Sequence, residues 1–406
     1  MAILYSTFMP DQHSSGRLYI MLLVNFFFFG VSMTILGSSI PKLIREFDWS
    51  YGMTGAVLAA YSIGYFLSTL ISGLVIHRLG PKALMLGGLV FQSACLILFA
   101  RFPSPWFNLV LNLGVGLGQG AGEVVTNYAV VLLEKPGSSK KMNFMHAAFC
   151  AGAFFGPFMV SSLMKRQSGG FLVFTITACF FMAVAVLFGF VRFTLMERES
   201  EDSLSRPMSG KPFLLVLLSI LIFFSVGMEM GVSGWSSEYF FSFLGEPAEK
   251  AARVVSFQWI GLLTGRLIFS FFYKGTKPRR MLLALSIVSL AGIGSLLLMR
   301  NGAAARISVF LCGLGISAVY PFVMSLAGRV YKTGRALGVV SSAAGVAQFV
   351  SPFIVAGIAG GYGIYAGFFA FLGMNVLLVG TTLILNVTRK RWDKAPPERA
   401  PAQDPA

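Results

Sequence analysis

The chain has 406 residues, of which 56% are hydrophobic and only 12% are charged. An average soluble domain has about 25% charged residues, so this chain has too little polar surface to cover itself in water. The mean hydropathy of +0.75 and the 40 Phe residues agree with this. The composition excludes a soluble protein and indicates an integral membrane protein.

The chain has 32 Lys and Arg residues against 16 Asp and Glu, a formal net charge of +16. A nucleic-acid-binding protein would cluster its basic residues on a solvated surface, whereas here they are scattered between long apolar segments. The four cysteines lie inside apolar segments without a CxxC pair, and we interpret them as small core residues. We expect no nucleic-acid partner and no metal site.

Twelve segments are long and apolar enough to cross a bilayer, since a spanning helix needs about 20 mostly apolar residues. A polar segment at 196–212 divides them into two sets of six, and a Pro/Ala-rich tail at 391–406 is predicted to be disordered. We therefore predict an all-α membrane protein with an N-terminal bundle at 1–195, a cytoplasmic linker at 196–212 and a C-terminal bundle at 213–390. The predicted spans are 18–40, 53–76, 83–100, 106–133, 142–164, 171–195, 213–242, 251–273, 281–299, 305–328, 336–358 and 362–387.

The distribution of basic residues predicts the orientation. With both chain ends on one side, most Lys and Arg residues fall in the loops of that side. Cytoplasmic loops are enriched in Lys and Arg, so both termini are predicted to be cytoplasmic. The short loops and the lack of a sorting signal favour the inner membrane of a bacterium, with a eukaryotic organelle as the alternative. We expect the protein to be a monomer.

The two halves repeat weakly at an offset of 197 residues. This offset aligns Ser32 with Glu229, and Gly116-Leu-Gly with Gly313-Leu-Gly. It also places the loop after span 2 over the loop after span 8. One offset that links spans 1 to 7, 2 to 8 and 4 to 10 favours an internal duplication. Six-helix repeats with a substrate site between them at mid-membrane are typical of transporters.

Two glycine-containing motifs occur after span 2 and within span 5. The first is Gly73-Leu-Val-Ile-His77-Arg78-Leu-Gly80-Pro81-Lys82. It resembles the cytoplasmic gating loop of the major facilitator superfamily, with His77 where Asp is usual and Pro81 where a basic residue is usual. The segment Gly152-Ala-Phe-Phe-Gly156-Pro157 in span 5 resembles its Gly-x-x-x-Gly-Pro element. The resemblance covers nearly the whole chain. It implies two pseudo-symmetric six-helix bundles and a gating role for Gly73, Arg78, Gly80 and Lys82.

Span 4 is similar to the fucose–proton symporter branch of that family. The matching residues are Gly116-Leu-Gly-Gln-Gly-Ala-Gly-Glu123-Val-Val-Thr-Asn127, followed by Asn143-Phe-Met-His146. In that branch the span-4 Glu belongs to the proton and sugar machinery, which the resemblance implies for Glu123. The chain departs from the branch where Leu36–Pro41 lacks an Asp and where His146 replaces a Gln, which argues against fucose itself. The residues Glu229, Trp235 and Tyr239 in span 7 also resemble sugar-transporter-like members.

Ionisable residues inside the spans are candidates for function, since each costs about 2.5–3.5 kcal/mol at mid-bilayer. Gln119, Glu123 and Asn127 are spaced i, i+4, i+8 and share one face of span 4. Glycines at every second position from 114 to 122 allow a neighbouring backbone or a substrate to approach. Glu123 is predicted to exchange a proton or bind substrate, and the alternative is a structural bond to a neighbouring helix.

Spans 5 and 7 provide further candidates. Asn143 and His146 share a face of span 5 and are interpreted as sugar partners, with His146 also a candidate proton relay. The alternative for both is an interhelical hydrogen bond. The glycines of span 7 predict a break in the helix near mid-membrane, with Glu229 facing a cavity. Trp235 and Tyr239 are one turn apart and are predicted to stack on a sugar ring, or alternatively to belong to an interfacial aromatic belt.

Arg266 in span 8 needs a counter-charge, which Glu123, Glu229 or a substrate carboxylate can provide. Gln258 shares its face and Trp259 lies one step round the helix. Secondary candidates are expected to serve packing or hydrogen bonding more than ligand contact. They are Asn25, Tyr61, Tyr65, Tyr320, Gln348 and Asn375.

No nucleotide-binding loop and no catalytic constellation is recognisable in the sequence, so we expect neither an enzyme nor a bound cofactor. A proton gradient is then the expected driving force. We predict proton symport of a small polar solute, a sugar above all, by alternating access, with Glu123, Glu229 and His146 in proton coupling. The alternatives are proton-coupled efflux of hydrophobic or amphipathic compounds, and a lipid-moving or non-transporting membrane receptor.

Overall fold

A computed structural model describes residues 12–133, 140–164, 171–191, 212–272, 278–331 and 334–388. Over these ranges the chain is α-helical and shows no strand. The first half contains α1 (Gln12–Phe47), α2 (Tyr51–Leu79), α3 (Pro81–Leu98), α4 (Pro105–Leu133), α5 (Lys140–Met164) and α6 (Leu172–Gly189). The second half contains α7 (Pro212–Glu238), α8 (Ala248–Ala252), α9 (Val254–Phe272), α10 (Pro278–Leu298), α11 (Gly302–Ile316), α12 (Val319–Tyr331), α13 (Gly334–Gly367) and α14 (Phe369–Val387).

These helices confirm the predicted fold of twelve membrane spans in two bundles. Ten helical segments of the described chain are long and apolar enough to cross a membrane. The other two spans correspond to α4 and α9. The short α8 lies outside the spans, and α11 with α12 forms the tenth span. The predicted linker up to residue 211 and the tail at 391–406 lie outside the described residues.

Proline residues lie inside three of the spans without ending them. Pro41, Pro157 and Pro352 are within α1, α5 and α13. A proline has no N–H, so the carbonyl four residues earlier loses its helical partner. For Pro352 that carbonyl belongs to Gln348, and it accepts a hydrogen bond from Ser62 of the other half at 3.3 Å. The lost helical bond is thus replaced by a bond between the halves.

The contacts of the glycines confirm the internal duplication. Gly116 of α4 lies against the backbone carbonyl of Tyr61 in α2, and Gly313 of α11 lies against that of Gln258 in α9. The second pair follows the first by the same 197 positions in both members. A Cβ atom at either glycine would collide with the neighbouring helix backbone. The offset of 197 residues therefore relates both the sequences of the two halves and the register of this close helix contact.

The halves meet along three helix pairs, α1 with α7, α2 with α13, and α5 with α9. Gly37 and Gly234 are 197 positions apart and touch each other at the centre of this seam, where a Cβ on Gly37 would lie 3.1 Å from the Cα of Gly234. Two residues related by a pseudo-twofold axis can touch only near that axis. The axis therefore passes beside these glycines, between α1 and α7.

We name the end of the molecule where α1 begins the N-terminal face, and the other end the opposite face. Successive spans alternate in direction, so α2, α4 and α9 begin at the opposite face. Hydrogen bonds join the halves there, from Arg253 Nε to Ser161 Oγ at 2.7 Å and from Ser256 Oγ to the Phe154 carbonyl at 2.7 Å. Between the described residues, the side-chain contacts that cross the seam extend from mid-membrane to the opposite face, which is therefore closed.

Candidate functional site

The close contact of α2 and α4 places two tyrosines over the polar face of α4. Tyr61 OH donates a hydrogen bond to Gln119 Oε1, and Tyr65 OH donates one to Glu123 Oε2. The two tyrosine rings are stacked, with centroids 6.3 Å apart and an interplanar angle of 13°. Both pairs are spaced i, i+4, so the parallel helices repeat the same contact after one turn. Tyr61 and Tyr65 therefore orient the side chains that the sequence identifies as candidates.

The Glu123 carboxylate has neutral hydrogen-bond partners. One oxygen accepts from Tyr65, and the other accepts from Asn127 Nδ2 at 3.4 Å. In the part of the chain that the structure describes, no Lys, Arg or His nitrogen lies within ion-pair distance of it. A negative charge at this depth is costly without a cation, whereas a protonated carboxyl group is satisfied by these partners.

A donor and an acceptor beside Glu123 are left without a partner. Gln119 Nε2 and Asn127 Oδ1 are buried and have no hydrogen-bond partner among the described residues. Buried polar atoms in proteins are nearly always hydrogen-bonded, so such orphans indicate a missing polar ligand or water. Hydroxyl groups both donate and accept, so a ligand with several of them matches these two atoms.

A second buried carboxylate, Glu229 of α7, is paired with a cation. Arg266 Nη2 lies 3.9 Å from Glu229 Oε1, and Arg266 Nη1 donates to Cys150 Sγ at 3.4 Å. Of the three counter-charges that the sequence allows for Arg266, the structure places Glu229 next to it. Gln258 donates from Nε2 to the backbone carbonyl of Glu229 at 2.9 Å, which fixes α9 against α7 at this level.

Tyr320 is 38% exposed and lies within electrostatic range of Glu123, Glu229 and Arg266. His146 of α5 is also exposed, interacts electrostatically with Arg266, and contacts the ring of Phe26 edge-on at 5.9 Å. Residues of both halves therefore lie within electrostatic range of one another at the level of the two carboxylates.

The structure does not bring the aromatic candidates to this site. Trp235 is fully buried and donates from Nε1 to the Pro352 carbonyl at 3.1 Å. Tyr239 is fully buried too, with its ring 4.2 Å from that of Phe368 and its hydroxyl bonded to the Leu296 carbonyl at 3.2 Å. The ring of Trp235 also lies 5.8 Å from that of Tyr51 in the first half, and Tyr239 packs inside the second half. In this conformation neither side chain offers a face to a sugar.

The predicted break in span 7 is wrong. α7 is continuous from Pro212 to Glu238 and ends in a π-helical turn at Tyr239–Phe243. Its glycines serve close packing: a Cβ on Gly231 would collide with Phe371 and Ser351. Because the helix is unbroken, Trp235 faces α13 rather than a cavity.

Other candidates have structural partners. Trp259 is buried and donates to Ser233 Oγ at 3.1 Å. Asn25 is buried and donates to Thr126 Oγ1 at 3.2 Å, which links α1 to α4 one residue from Asn127. The backbone of Asn143 is in α5, but its side chain is outside the described part of the chain.

The predicted gating loop forms a tight connection between α2 and α3. Gly73 and Arg78 are exposed near the end of α2, and Gly80 between the helices has a φ of 76°, which favours glycine. Lys82 donates from Nζ to the carbonyl of Gly189 at the end of α6, at 2.6 Å. The equivalent loop of the second half, at 273–277, lies outside the described residues.

Three residues next to the site have specific partners that the sequence analysis did not name. Tyr61 and Tyr65 were expected to serve packing or hydrogen bonding, and they donate hydrogen bonds to the polar face of α4. Their i, i+4 spacing matches that of Gln119 and Glu123, and this is the signal in the sequence that indicates the contact. Cys150 was expected to be a core residue. It is buried, but its sulfur contacts Arg266.

The sequence comparisons agree with the fold. The family model of the Major Facilitator Superfamily matches residues 22–334. An uncharacterized MFS-type transporter of Bacillus subtilis, YfkL, is 24% identical over 376 residues, which cover 88% of this chain and 92% of that protein. A putative glucose/galactose transporter of Helicobacter pylori is 26% identical over 362 residues, covering 82% of this chain and 87% of that protein. These relatives are transporters rather than enzymes.

Solved structures share the fold at low identity. A bacterial homolog to the human lysosomal transporter Spinster, in an inward-facing and occupied conformation, has a TM-score of 0.77 at 13% identity, covering 95% of this chain and all of that chain. A D-xylose–proton symporter has a TM-score of 0.69 at 13% identity, with 93% and 97% coverage. The Escherichia coli fucose–proton symporter has a TM-score of 0.59 at 17% identity, with 91% and 99% coverage.

Proposed function

Because the chain belongs to the major facilitator superfamily, we propose that it takes up a small neutral polar solute, a sugar, together with a proton. The observation that supports this most directly is the contrast between the two buried carboxylates. Glu229 has a cation 3.9 Å away, whereas the partners of Glu123 are neutral. Glu123 is therefore the group that gains most from binding a proton at this depth.

The substrate class follows from the atoms beside Glu123. Gln119 Nε2 and Asn127 Oδ1 are a free donor and a free acceptor on the same helix face as the carboxylate. Separate hydroxyl groups of one sugar can supply a partner for each of these atoms. With Glu123 protonated and Glu229 paired to Arg266, the site has no net charge, which suits a neutral solute. The glucose/galactose transporter among the relatives and the two sugar–proton symporters among the structures support this class.

The transport cycle alternates access between the two faces. The structure is closed at the opposite face, where Arg253 and Ser256 bond the first half. The excess of basic residues assigns the N-terminal face to the cytoplasm, so this conformation corresponds to the inward-facing state. Binding of a proton and a solute removes a buried charge and fills the orphaned polar atoms. Both changes lower the free energy of the intermediate conformation through which access passes from one face to the other.

The cycle needs no bound cofactor beyond the proton gradient, and we place the protein as a monomer in the bacterial inner membrane. The proposal is tested with purified protein in proteoliposomes. Uptake of labelled sugars, polyols, amino acids and lipophilic cations is measured with and without an inward proton gradient. We expect gradient-driven accumulation of one or more sugars.

Glu123→Gln separates proton coupling from solute binding. This variant should lose uphill accumulation and keep counterflow exchange, because an amide mimics the protonated carboxyl group. Accumulation by the variant equal to that of the parent protein would refute the role of Glu123. Transport of lipophilic cations without any sugar would instead indicate efflux.

A further inference from the structure

A hydrogen-bonded cluster joins the two halves at the opposite face, away from the central site. Tyr51 is the first residue of α2, and Glu238 is the last residue of α7. Tyr51 OH donates to Glu238 Oε1 at 2.9 Å, and Ser242 Oγ donates to the same oxygen. Glu238 is 2% exposed although it lies at the end of its helix. The bond therefore connects helices of different halves through a shielded carboxylate.

A cation–π contact crosses the seam next to this bond. The guanidinium of Arg45 in α1 lies 3.8 Å from the ring centroid of Phe241, and Arg45 also interacts electrostatically with Glu238. These groups line a cavity of about 320 Å³ together with Trp49. Glu238 Oε2 has no hydrogen-bond partner among the described residues, so the carboxylate is held through one oxygen.

The position of the cluster determines what it can do. Tyr51 and Arg45 move with the first half, and Glu238 moves with the second. Glycines 37 and 234 touch beneath the cluster, next to the pseudo-twofold axis. A rotation of the halves that separates them at this face must therefore break the Tyr51–Glu238 bond and the Arg45–Phe241 contact.

We propose that Tyr51, Glu238, Arg45 and Phe241 form a latch that holds the opposite face closed. This inference rests on the alternating access proposed above, but not on the identity of the solute or the ion. The duplication offers no second copy of it, since the positions equivalent to Glu238 and Tyr51 are Pro41 and Ala248. The latch acts once, between these two halves.

The chain provides a matched control for each of the two latch residues that are substituted below, Glu238 and Tyr51. Glu246 lies at the same face and pairs with Arg306, but both belong to the second half. Tyr365 also lies at this face, and its hydroxyl bonds the Leu297 carbonyl of the same half at 3.4 Å. Glu246→Gln and Tyr365→Phe thus repeat the chemistry of Glu238→Gln and Tyr51→Phe without crossing the seam.

The experiment measures access to a cysteine beneath the latch. Ser38 is fully buried, and its carbonyl accepts from Ser237 of the other half at 3.3 Å. Ser38→Cys is introduced, and intact cells are treated with a membrane-impermeant sulfonated maleimide. Labelling of this site is followed over time by peptide-resolved mass spectrometry, so the native cysteines can stay. Inside-out vesicles provide the same measurement from the N-terminal face.

We expect Tyr51→Phe to raise the labelling rate in intact cells about tenfold, the effect of losing one hydrogen bond to a charged acceptor. Glu238→Gln should raise it less, since the amide still accepts a bond, and the two controls should match the parent protein. Equal rates in Tyr51→Phe and Tyr365→Phe, or acceleration confined to inside-out vesicles, would overturn the latch. If Glu238→Gln does not elute as a folded protein, the labelling rates of Tyr51→Phe and Tyr365→Phe decide the test. The readout needs no transport, so a failure of proton-driven uptake leaves it unaffected.

Discussion

The Glu229–Arg266 pair gives a quantitative prediction about stability. The charged atoms lie 3.9 Å apart, and the side chains are 11% and 26% exposed. Coulomb's law with an effective dielectric constant of about 20 gives an attraction of about 4 kcal/mol at that distance. Removal of one partner leaves the other charge buried and unpaired, which typically costs about 3–5 kcal/mol. Glu229→Gln and Arg266→Gln should therefore each lower the unfolding temperature by several degrees.

Thermal unfolding of the purified variants in detergent, followed by tryptophan fluorescence, tests this reasoning. The double variant Glu229→Gln/Arg266→Gln should recover most of the loss, because neither position then keeps a charge. The pair of Lys42 and Glu46, 3.0 Å apart with Glu46 46% exposed, is the control. Glu46→Gln should change the unfolding temperature little, since exposed pairs contribute about 0–1 kcal/mol. A double variant that loses the sum of both single effects would refute the ion pair.

Three further predictions concern packing and coupling. Gly116→Ala and Gly313→Ala should both lower the yield of folded protein in size-exclusion chromatography, because each Cβ would collide with a helix backbone. Gly87 has open space around it, so Gly87→Ala should leave the yield unchanged. A normal yield of Gly116→Ala would contradict the shared register. Since one of the two central carboxylates lacks a cation, one proton should accompany each solute molecule. At zero membrane potential, a tenfold proton gradient should then support about tenfold accumulation of the solute. Accumulation of about a hundredfold would indicate a second proton. Tyr65 bonds Glu123, so Tyr65→Phe should reduce gradient-driven accumulation of the solute. Tyr61 bonds Gln119, so Tyr61→Phe should raise the KM for the solute and preserve its accumulation. The same effect in both variants would contradict separate roles for the two tyrosines.

The sequence predicts the spans well because each needs about 20 apolar residues to cross the bilayer, and this constraint is visible locally. It fails at α7. The glycines of this helix are compatible with a break and also with close packing against another helix. The choice depends on what faces them, here Phe371 and Ser351 of α14 and α13. Both neighbours are more than a hundred residues away in the chain, so the local sequence pattern could not identify them.

The sequence predicts the charged residues of the candidate site but not their uncharged neighbours. Glu123, Glu229 and Arg266 stand out because charged residues are rare within spans. Tyr65 and Cys150 do not stand out, because Tyr and Cys are common in apolar helices. Their contacts with Glu123 and Arg266 depend on how α2 packs on α4 and α5 on α9. Trp235 and Tyr239 were overestimated for the converse reason, since spacing along a helix does not indicate which neighbour covers that face.

The shared register of α2 with α4 and of α9 with α11 has a consequence for how the two halves diverged. At the same offset of 197, the position of Glu123 is occupied by Tyr320, and the position of Arg266 by Thr69. A protein made of two identical halves would present equal charges on both sides of its axis. Here the backbone contacts are shared and a few side chains differ, so the first half contains an acid without a cation and the second half contains an acid–cation pair. The duplicated framework thus supports an electrically asymmetric interior, which a single six-helix unit paired with its own copy could not provide.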